Sequence, residues 1–263
     1  MNSVINLDWN GPPTQLEIAW VGSQDLSAPV MVFLHEGLGS VSLWRDYPDQ
    51  LCQQLNMRGL VYSRPGYGKS TPRKLHEKWG VDFMYQQAHA VLPELLKQLD
   101  IHHPWLFGHS DGGSIALLYA AHFPKHLAGA IVLAPHIMVE DISISSIQAA
   151  RTAYEEQGLR ERLARHHSDP DSAFYGWNNI WLDPAFRTWN ITAELSTIQC
   201  PLLAIQGVED EYGSMQQIYG IRDQLPHTTL LELPSCGHSP HKDQPLALNN
   251  AVKAFITSHN AQH

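Results

Sequence analysis

Residues 107–124, FGHSDGGSIALLYAAHFP, run from the end of an apolar strand through a glycine-flanked turn into an alanine-rich apolar helix. The turn is the pentapeptide Gly108-His109-Ser110-Asp111-Gly112, a G-x-S-x-G pattern. A strand that turns this sharply into a helix packed back along it belongs in a parallel, helix-covered sheet, with the serine hydroxyl raised above the carboxyl edge. Small residues at positions 108 and 112 permit the strained backbone and the close strand-helix packing. Ser110 is therefore a candidate nucleophile.

The rest of the chain follows the same rhythm. Residues 16–21 alternate apolar and polar as an antiparallel edge strand does, and 30–34 form a continuous apolar run suited to a buried strand. Helical spacing over 43–55, a strand at 60–62 and the turn-rich RPGYGKSTP complete one crossover. A helix at 83–99, a strand at 105–107, a helix at 114–122 and a strand at 129–133 come next. Near the end come a strand at 202–206, a helix at 215–225, a strand at 229–233 and a helix at 247–258. This alternation predicts an α/β fold with a mostly parallel sheet covered on both faces.

The rhythm breaks after Pro135, where about 60 residues intervene, too many for a simple connection. Residues 147–165 have helical spacing, and FYGWNNIWLDPAFRTWN concentrates Trp177, Trp181 and Trp189 with three further aromatics. We expect a helical cap over 136–195 inserted into a core formed by 1–135 and 196–263. A satellite core under a long surface segment is the alternative.

A chain of 263 residues, 43% hydrophobic, can bury one large core. Its net charge of −9, without a basic run, argues against nucleic acid or an anionic membrane surface as partner. Cys52, Cys200 and Cys236 are odd in number and widely spaced, as expected of reduced thiols in a cytoplasmic protein. The N-terminal residues lack a signal-peptide pattern, and no apolar run is long enough to span a bilayer. No motif sets an oligomeric state.

A serine hydroxyl needs a histidine to take its proton and a carboxylate to orient that histidine. For this type of turn the chain order is serine, acid, histidine, each at the carboxyl end of a strand. The strand PLLAIQG leads into Gly207-Val208-Glu209-Asp210-Glu211, and TTLLELPSCGH ends at Gly237-His238. A competing reading takes Cys236, His238 and His241 as a C-x-H-x-x-H metal site. Asp111 N–H, at the start of the helix, is placed to stabilise the oxyanion of a tetrahedral intermediate.

Four motifs, FLHEGLGS (33–40), SRPGYGKS (63–70), GHSDGG (108–113) and the pair QGVED with CGH, make the chain resemble an α/β-hydrolase fold enzyme over essentially its whole length. The resemblance implies Ser110 as nucleophile, Asp210 as acid, His238 as base and no cofactor or metal. Glu209 and Glu211 flank Asp210, which stands three residues past Gly207, where the family's turn places its acid. In His35-Glu36-Gly37 the resemblance makes Gly37 N–H the second oxyanion donor, with Glu36 N–H the fallback. Glu36 stands where the family commonly has glycine.

The Ser-Asp-Gly-Gly elbow resembles that of biphenyl hydrolase-like enzymes, which cleave amino-acid esters. That resemblance implies recognition of a substrate ammonium by Asp111 with Glu36; favourable interaction with the helix dipole is the alternative role for Asp111. Trp177, Trp181 and Trp189 either line a pocket for a flat acyl group or fill core, with Trp177 and Trp181 on one helical face. The expected activity is hydrolysis of a small or medium carboxylic ester, a small-molecule substrate. Carbon-carbon bond hydrolysis, thioester hydrolysis and a lyase reaction use the same scaffold, and a non-catalytic ligand receptor is the remaining alternative.

Overall fold

The computed structural model describes residues 2–9, 11–74 and 77–260. In chain order the elements are β1 (Asn2–Leu7), β2 (Thr14–Gly22), β3 (Val30–Leu34), α1 (Tyr47–Leu55), β4 (Arg58–Tyr62), α2 (Phe83–Gln86), α3 (Leu92–Gln98), β5 (Trp105–His109), α4 (Asp111–His122) and β6 (Gly129–Leu133). Then follow α5 (Asp141–Glu156), α6 (Leu159–Leu163), α7 (Pro170–Trp181), β7 (Leu202–Gly207), α8 (Gln216–Gln224), β8 (Thr229–Leu233), α9 (Pro240–Asp243) and α10 (Pro245–Asn260). The eight strands form one sheet in the order β1-β2-β4-β3-β5-β6-β7-β8. β2 pairs antiparallel with both β1 and β4, and all other neighbours are parallel.

Period-two alternation divides the sheet's side chains between two cores. Met31, Phe33, Phe107, Ile131 and Ile205 face α1 and α10, where they meet Leu51, Leu248 and Val252. Val32, Leu34, Leu106, Val132 and Ala204 face α4 and α8, meeting Ile115, Leu118 and Ile218. β5 is buried along its whole length and α4 from Asp111 to Ala120. A helix apolar on all sides sits this way because every face meets protein.

Several local departures from the sequence pattern have identifiable causes. β1 was not expected; NSVINL is a short edge strand whose only support in the sheet is antiparallel pairing with β2. The helix expected over 83–99 contains a π turn at Gln87–Val91, where Leu92 N–H reaches back to Gln87 O. Pro93 lacks the N–H that would bond His89, and its ring clashes with that carbonyl in a regular helix, so the backbone widens just before it. The helix expected over 147–165 begins earlier, at Asp141, and breaks at Gly158, which has φ +73°. The run expected over 43–55 begins as a 3-10 turn at Ser42–Trp44 and is interrupted at Arg45 before α1.

Between β6 and β7, helices α5, α6 and α7 stack across the carboxyl edge, and their Ile147, Phe174, Trp177 and Trp181 join the core on the α4 side. Among the described residues no helix is long and apolar enough to cross a membrane.

Candidate active site

Ser110 occupies the tight turn between β5 and α4 with φ 53° and ψ −120°. A residue with a side chain adopts such a conformation only when its surroundings enforce it. Ser110 N–H donates to Leu133 O at 2.9 Å, and Ser110 O accepts from Ser114 N at 3.0 Å. The flanking glycines allow the crossing: a Cβ on Gly108 would lie 2.3 Å from Gly112 O, and one on Gly112 2.1 Å from Leu34 O. The hydroxyl lies at the carboxyl edge of the sheet, in one cavity with His238.

β7 and β8 bring the acid and base together. His238 Nδ1 lies 2.8 and 3.0 Å from the two Asp210 carboxylate oxygens. An ionised carboxylate only accepts, so the Nδ1 proton donates and Nε2 is left free to take a proton. Asp210 is itself held by Gln206 Nε2 at 2.6 Å and by Tyr212 N–H at 2.8 Å. Of its neighbours, Glu211 accepts His238 N–H at 3.1 Å through Oε2, while Glu209 has its backbone N–H on Cys236 O. His109 Nε2–H donates to His238 O at 2.6 Å, and burial pushes its pKa well below the ordinary value, so it acts as a neutral clamp. Among the described residues Ser110 Oγ makes no hydrogen bond to His238, a contact that commonly tightens only once substrate is bound.

Asp111 N–H opens α4, where a first-turn amide has no intrahelical acceptor. Gly37 lies across the cavity in the loop after β3. That loop is pinned by a neutral His35, whose pKa burial drives well below 6.5. Its Nε2 accepts Arg64 N–H at 3.0 Å, which leaves the proton on Nδ1 to bond Glu36 O at 2.7 Å. Arg64 NH2 donates to the same carbonyl at 2.9 Å. Trp177 of α7 lies directly over Gly37: a Cβ there would come within 2.1 Å of the indole Nε1.

Asp111 is fully buried. Its Oδ1 accepts Trp181 Nε1–H at 3.1 Å and its Oδ2 stands 3.8 Å from Arg64 NH2. Burial lifts its carboxyl to about 6, with Arg64 and the Trp181 bond opposing the rise. Oδ1 is thus hydrogen-bonded, whereas Oδ2 has the ion-pair contact but no hydrogen bond among the described residues. Glu36 lines the cavity with its carboxyl lying over Gly39, where a Cβ would be 1.9 Å from Oε2. Burial raises its pKa, opposed chiefly by Lys242.

These groups surround a cavity of about 150 Å³ whose walls also include His136, Ile147, Trp181 and Tyr212. Trp177 and Trp181 both reach it and both pack in the core, so the two readings of these residues coincide, whereas Trp189 is not among its lining residues and packs against Trp181 and Phe186 in the core. A larger depression of about 430 Å³, around Arg73, Trp79 and Asn179, contains none of the triad candidates. Chemistry, rather than volume, selects the smaller cavity.

The alternative metal triple does not gather. Cys236 Sγ is directed to Gly237 O, His238 to Asp210, and the His241 ring packs against Trp44 and Tyr47. Among the described residues no group of three His, Cys, Asp or Glu side chains could hold a metal ion. Several site residues carried no motif. Gln206 was visible only as one polar residue in an apolar strand, and Glu211 only as a competitor for the acid. His136, whose backbone N–H and C=O are both gripped by Ser114 Oγ at 3.0 and 2.6 Å, gave no signal.

A mostly parallel sheet with a serine at a strand-to-helix elbow, and with Asp and His after later strands, defines the α/β-hydrolase class. The Alpha/beta hydrolase family model matches residues 31–251, and the chain belongs to that family. A putative carbamate hydrolase RutD from Pseudomonas syringae pv. syringae is 28% identical, covering 89% of this chain and 96% of the relative. The 2-succinyl-6-hydroxy-2,4-cyclohexadiene-1-carboxylate synthase of Klebsiella pneumoniae subsp. pneumoniae is 27% identical over 88% of this chain and 94% of its own. Among solved structures, a carboxylesterase of Nitrososphaera gargenis superposes with TM-score 0.79 at 19% identity, covering 99% of this chain and 100% of the other.

Proposed function

We propose that this hydrolase cleaves a small carboxylic ester through an acyl-enzyme on Ser110, His238 and Asp210. The observation that carries the reading is the Asp210-oriented His238 ring, which shares one cavity with the strained Ser110. Ser110 Oγ attacks the carbonyl carbon as His238 Nε2 takes its proton, and the C=O electron pair moves onto oxygen facing Gly37 N–H and Asp111 N–H. Collapse expels the alcohol, protonated by His238. Water, deprotonated by the same nitrogen, then attacks the acyl-enzyme and releases the carboxylic acid, restoring Ser110.

Size and charge narrow the substrate. The cavity of about 150 Å³ is small beside ligand pockets of roughly 300–1,000 Å³, which favours a compact acyl group. The described lining residues include Glu36 and Asp111 but no Lys or Arg, so an anionic acyl group finds no cation there. This favours a neutral or ammonium-bearing ester over the carboxylate chemistry in the name of the Klebsiella relative. Because Trp181 takes Asp111 Oδ1 and the Arg64 cation stands 3.8 Å from Oδ2, repelling a second cation, an ammonium would be received first by Glu36. The three buried, unpaired cysteines support a reducing, cytoplasmic setting.

Purified protein assayed against matched neutral esters, anionic esters, carbamates, thioesters and ring-cleavage diketones tests the reading. Fastest turnover of short neutral or ammonium esters is expected. Turnover confined to diketones or to anionic esters overturns it.

A further inference from the structure

The two cavity tryptophans differ in what their indole N–H groups do. Trp181 donates to Asp111 Oδ1 at 3.1 Å. Trp177, only 6% exposed, lines the same cavity, and among the described residues no acceptor takes its Nε1–H. Unlike the Nε1–H groups of Trp44 and Trp189, which are sealed in the protein without a partner among the described residues, that of Trp177 is not closed off. The nitrogen lies directly above Gly37, close enough that an added methyl on that glycine would sit 2.1 Å from it and 2.4 Å from Cδ1. The indole therefore borders Gly37, and both Gly37 and Ser110 line the same cavity. A substrate oxygen bonded to Gly37 in the reaction proposed above would lie beside this second donor.

We propose that Trp177 is a further catalytic residue, a cap-borne donor whose Nε1–H bonds the carbonyl oxygen of the substrate alongside the backbone amides of Gly37 and Asp111. The proposal rests on the serine-hydrolase reading above. It makes α7 part of the reaction machinery: the helix delivers a rigid donor from the cap side, whereas the other two donors belong to the core. The bond strengthens as the carbonyl oxygen gains charge, so its loss slows turnover more than it weakens substrate binding.

Trp177→Phe keeps an aromatic plate over Gly37 and removes the donor. If Phe perturbs folding, a benzothiophene analogue of tryptophan installed at position 177, with sulfur in place of N–H, removes the donor at nearly constant shape. Each protein is assayed on a short ester and on its thionoester, in which C=S is a poor hydrogen-bond acceptor, and is checked for fluorophosphonate labelling of Ser110. The expected result is a loss in kcat of about 10–100-fold with KM little changed, together with a smaller oxo-over-thiono preference than the wild type shows. Unchanged kcat overturns the proposal. So does a lower kcat with the oxo-over-thiono ratio intact, which means packing alone. Labelling separates the two levels: wild-type protein that takes no label refutes the serine-hydrolase reading itself, whereas labelled variants with wild-type turnover refute only the role of Trp177.

Discussion

On the sheet side of the cavity, Asp210 holds Gln206, Tyr212 and His238, and His238 is fastened again through its backbone to Glu211 and His109. Facing it, Trp177 of α7 covers Gly37 with its indole N–H unpartnered by described residues, and Glu36 in the loop after β3 presents a half-buried carboxyl. The contrast separates two jobs. In the proposed reaction the side chains that move a proton are the ones locked by bonds to the scaffold, since small errors in their placement cost large factors in rate. Groups facing the substrate keep bonding capacity in reserve for it.

Substitutions on the two sides should therefore fail differently. Asp210→Asn removes the carboxylate that selects the His238 tautomer, and we expect kcat to fall by roughly 10³–10⁴-fold with KM nearly unchanged, as measured by steady-state kinetics on a short ester. A loss shared mainly by KM would show that the sheet side binds substrate rather than moves protons. Gly37→Ala forces a methyl against the Trp177 ring, so we expect a stability loss of about 1–3 kcal/mol in urea unfolding and about 10–100-fold lower kcat/KM. Combining it with Trp177→Ala should recover stability but not activity.

Asp111 joins the two sides through Trp181 and Arg64. Its carboxyl is raised in the folded protein from an ordinary value of 3.8 to about 6. The native state then holds the proton more tightly than the unfolded chain, so stability falls as pH rises from about 4 to about 6 and is flat above. That descent amounts to roughly 2–3 kcal/mol. Asp111→Asn cannot ionise, and urea unfolding of the variant should lack this descent, gaining on the wild type across that window. Parallel stability curves would contradict the buried-carboxyl account. The smallest expected effect is that of Glu36→Gln: a several-fold drop in the preference for ammonium esters over neutral esters of equal size, with neutral-ester turnover nearly unchanged. If Asp111→Asn erased that preference and Glu36→Gln did not, the division of labour between the carboxyls would be reversed.

The same contrast marks what could be read from the chain. β3, β6 and β8 stand out as continuous or bounded apolar runs, and the elbow declares itself because strand, turn and helix are all encoded within a few residues of Ser110. Strand ends and chain order point to His238 and to the acidic run 209–211; the choice of Asp210 within that run came from the family resemblance, and its carboxylate meets His238 Nδ1. Gln206, Glu211, His109 and His136 could not be read this way, since each acts through a partner brought near only by the sheet. β1 was hidden because its alternation is short and its only neighbour in the sheet is β2. Asp111 could be read as a substrate contact because sequence shows its place beside Ser110; its orientation toward Arg64 and Trp181 depends on two distant segments.

The nucleophile is the claim on which the rest depends. Treating the folded protein with a fluorophosphonate probe and mapping the adduct by peptide mass spectrometry tests it directly. One covalent adduct is expected, on Ser110, absent from Ser110→Ala and strongly slowed in His238→Ala. No adduct, or an adduct that persists in Ser110→Ala, would contradict it.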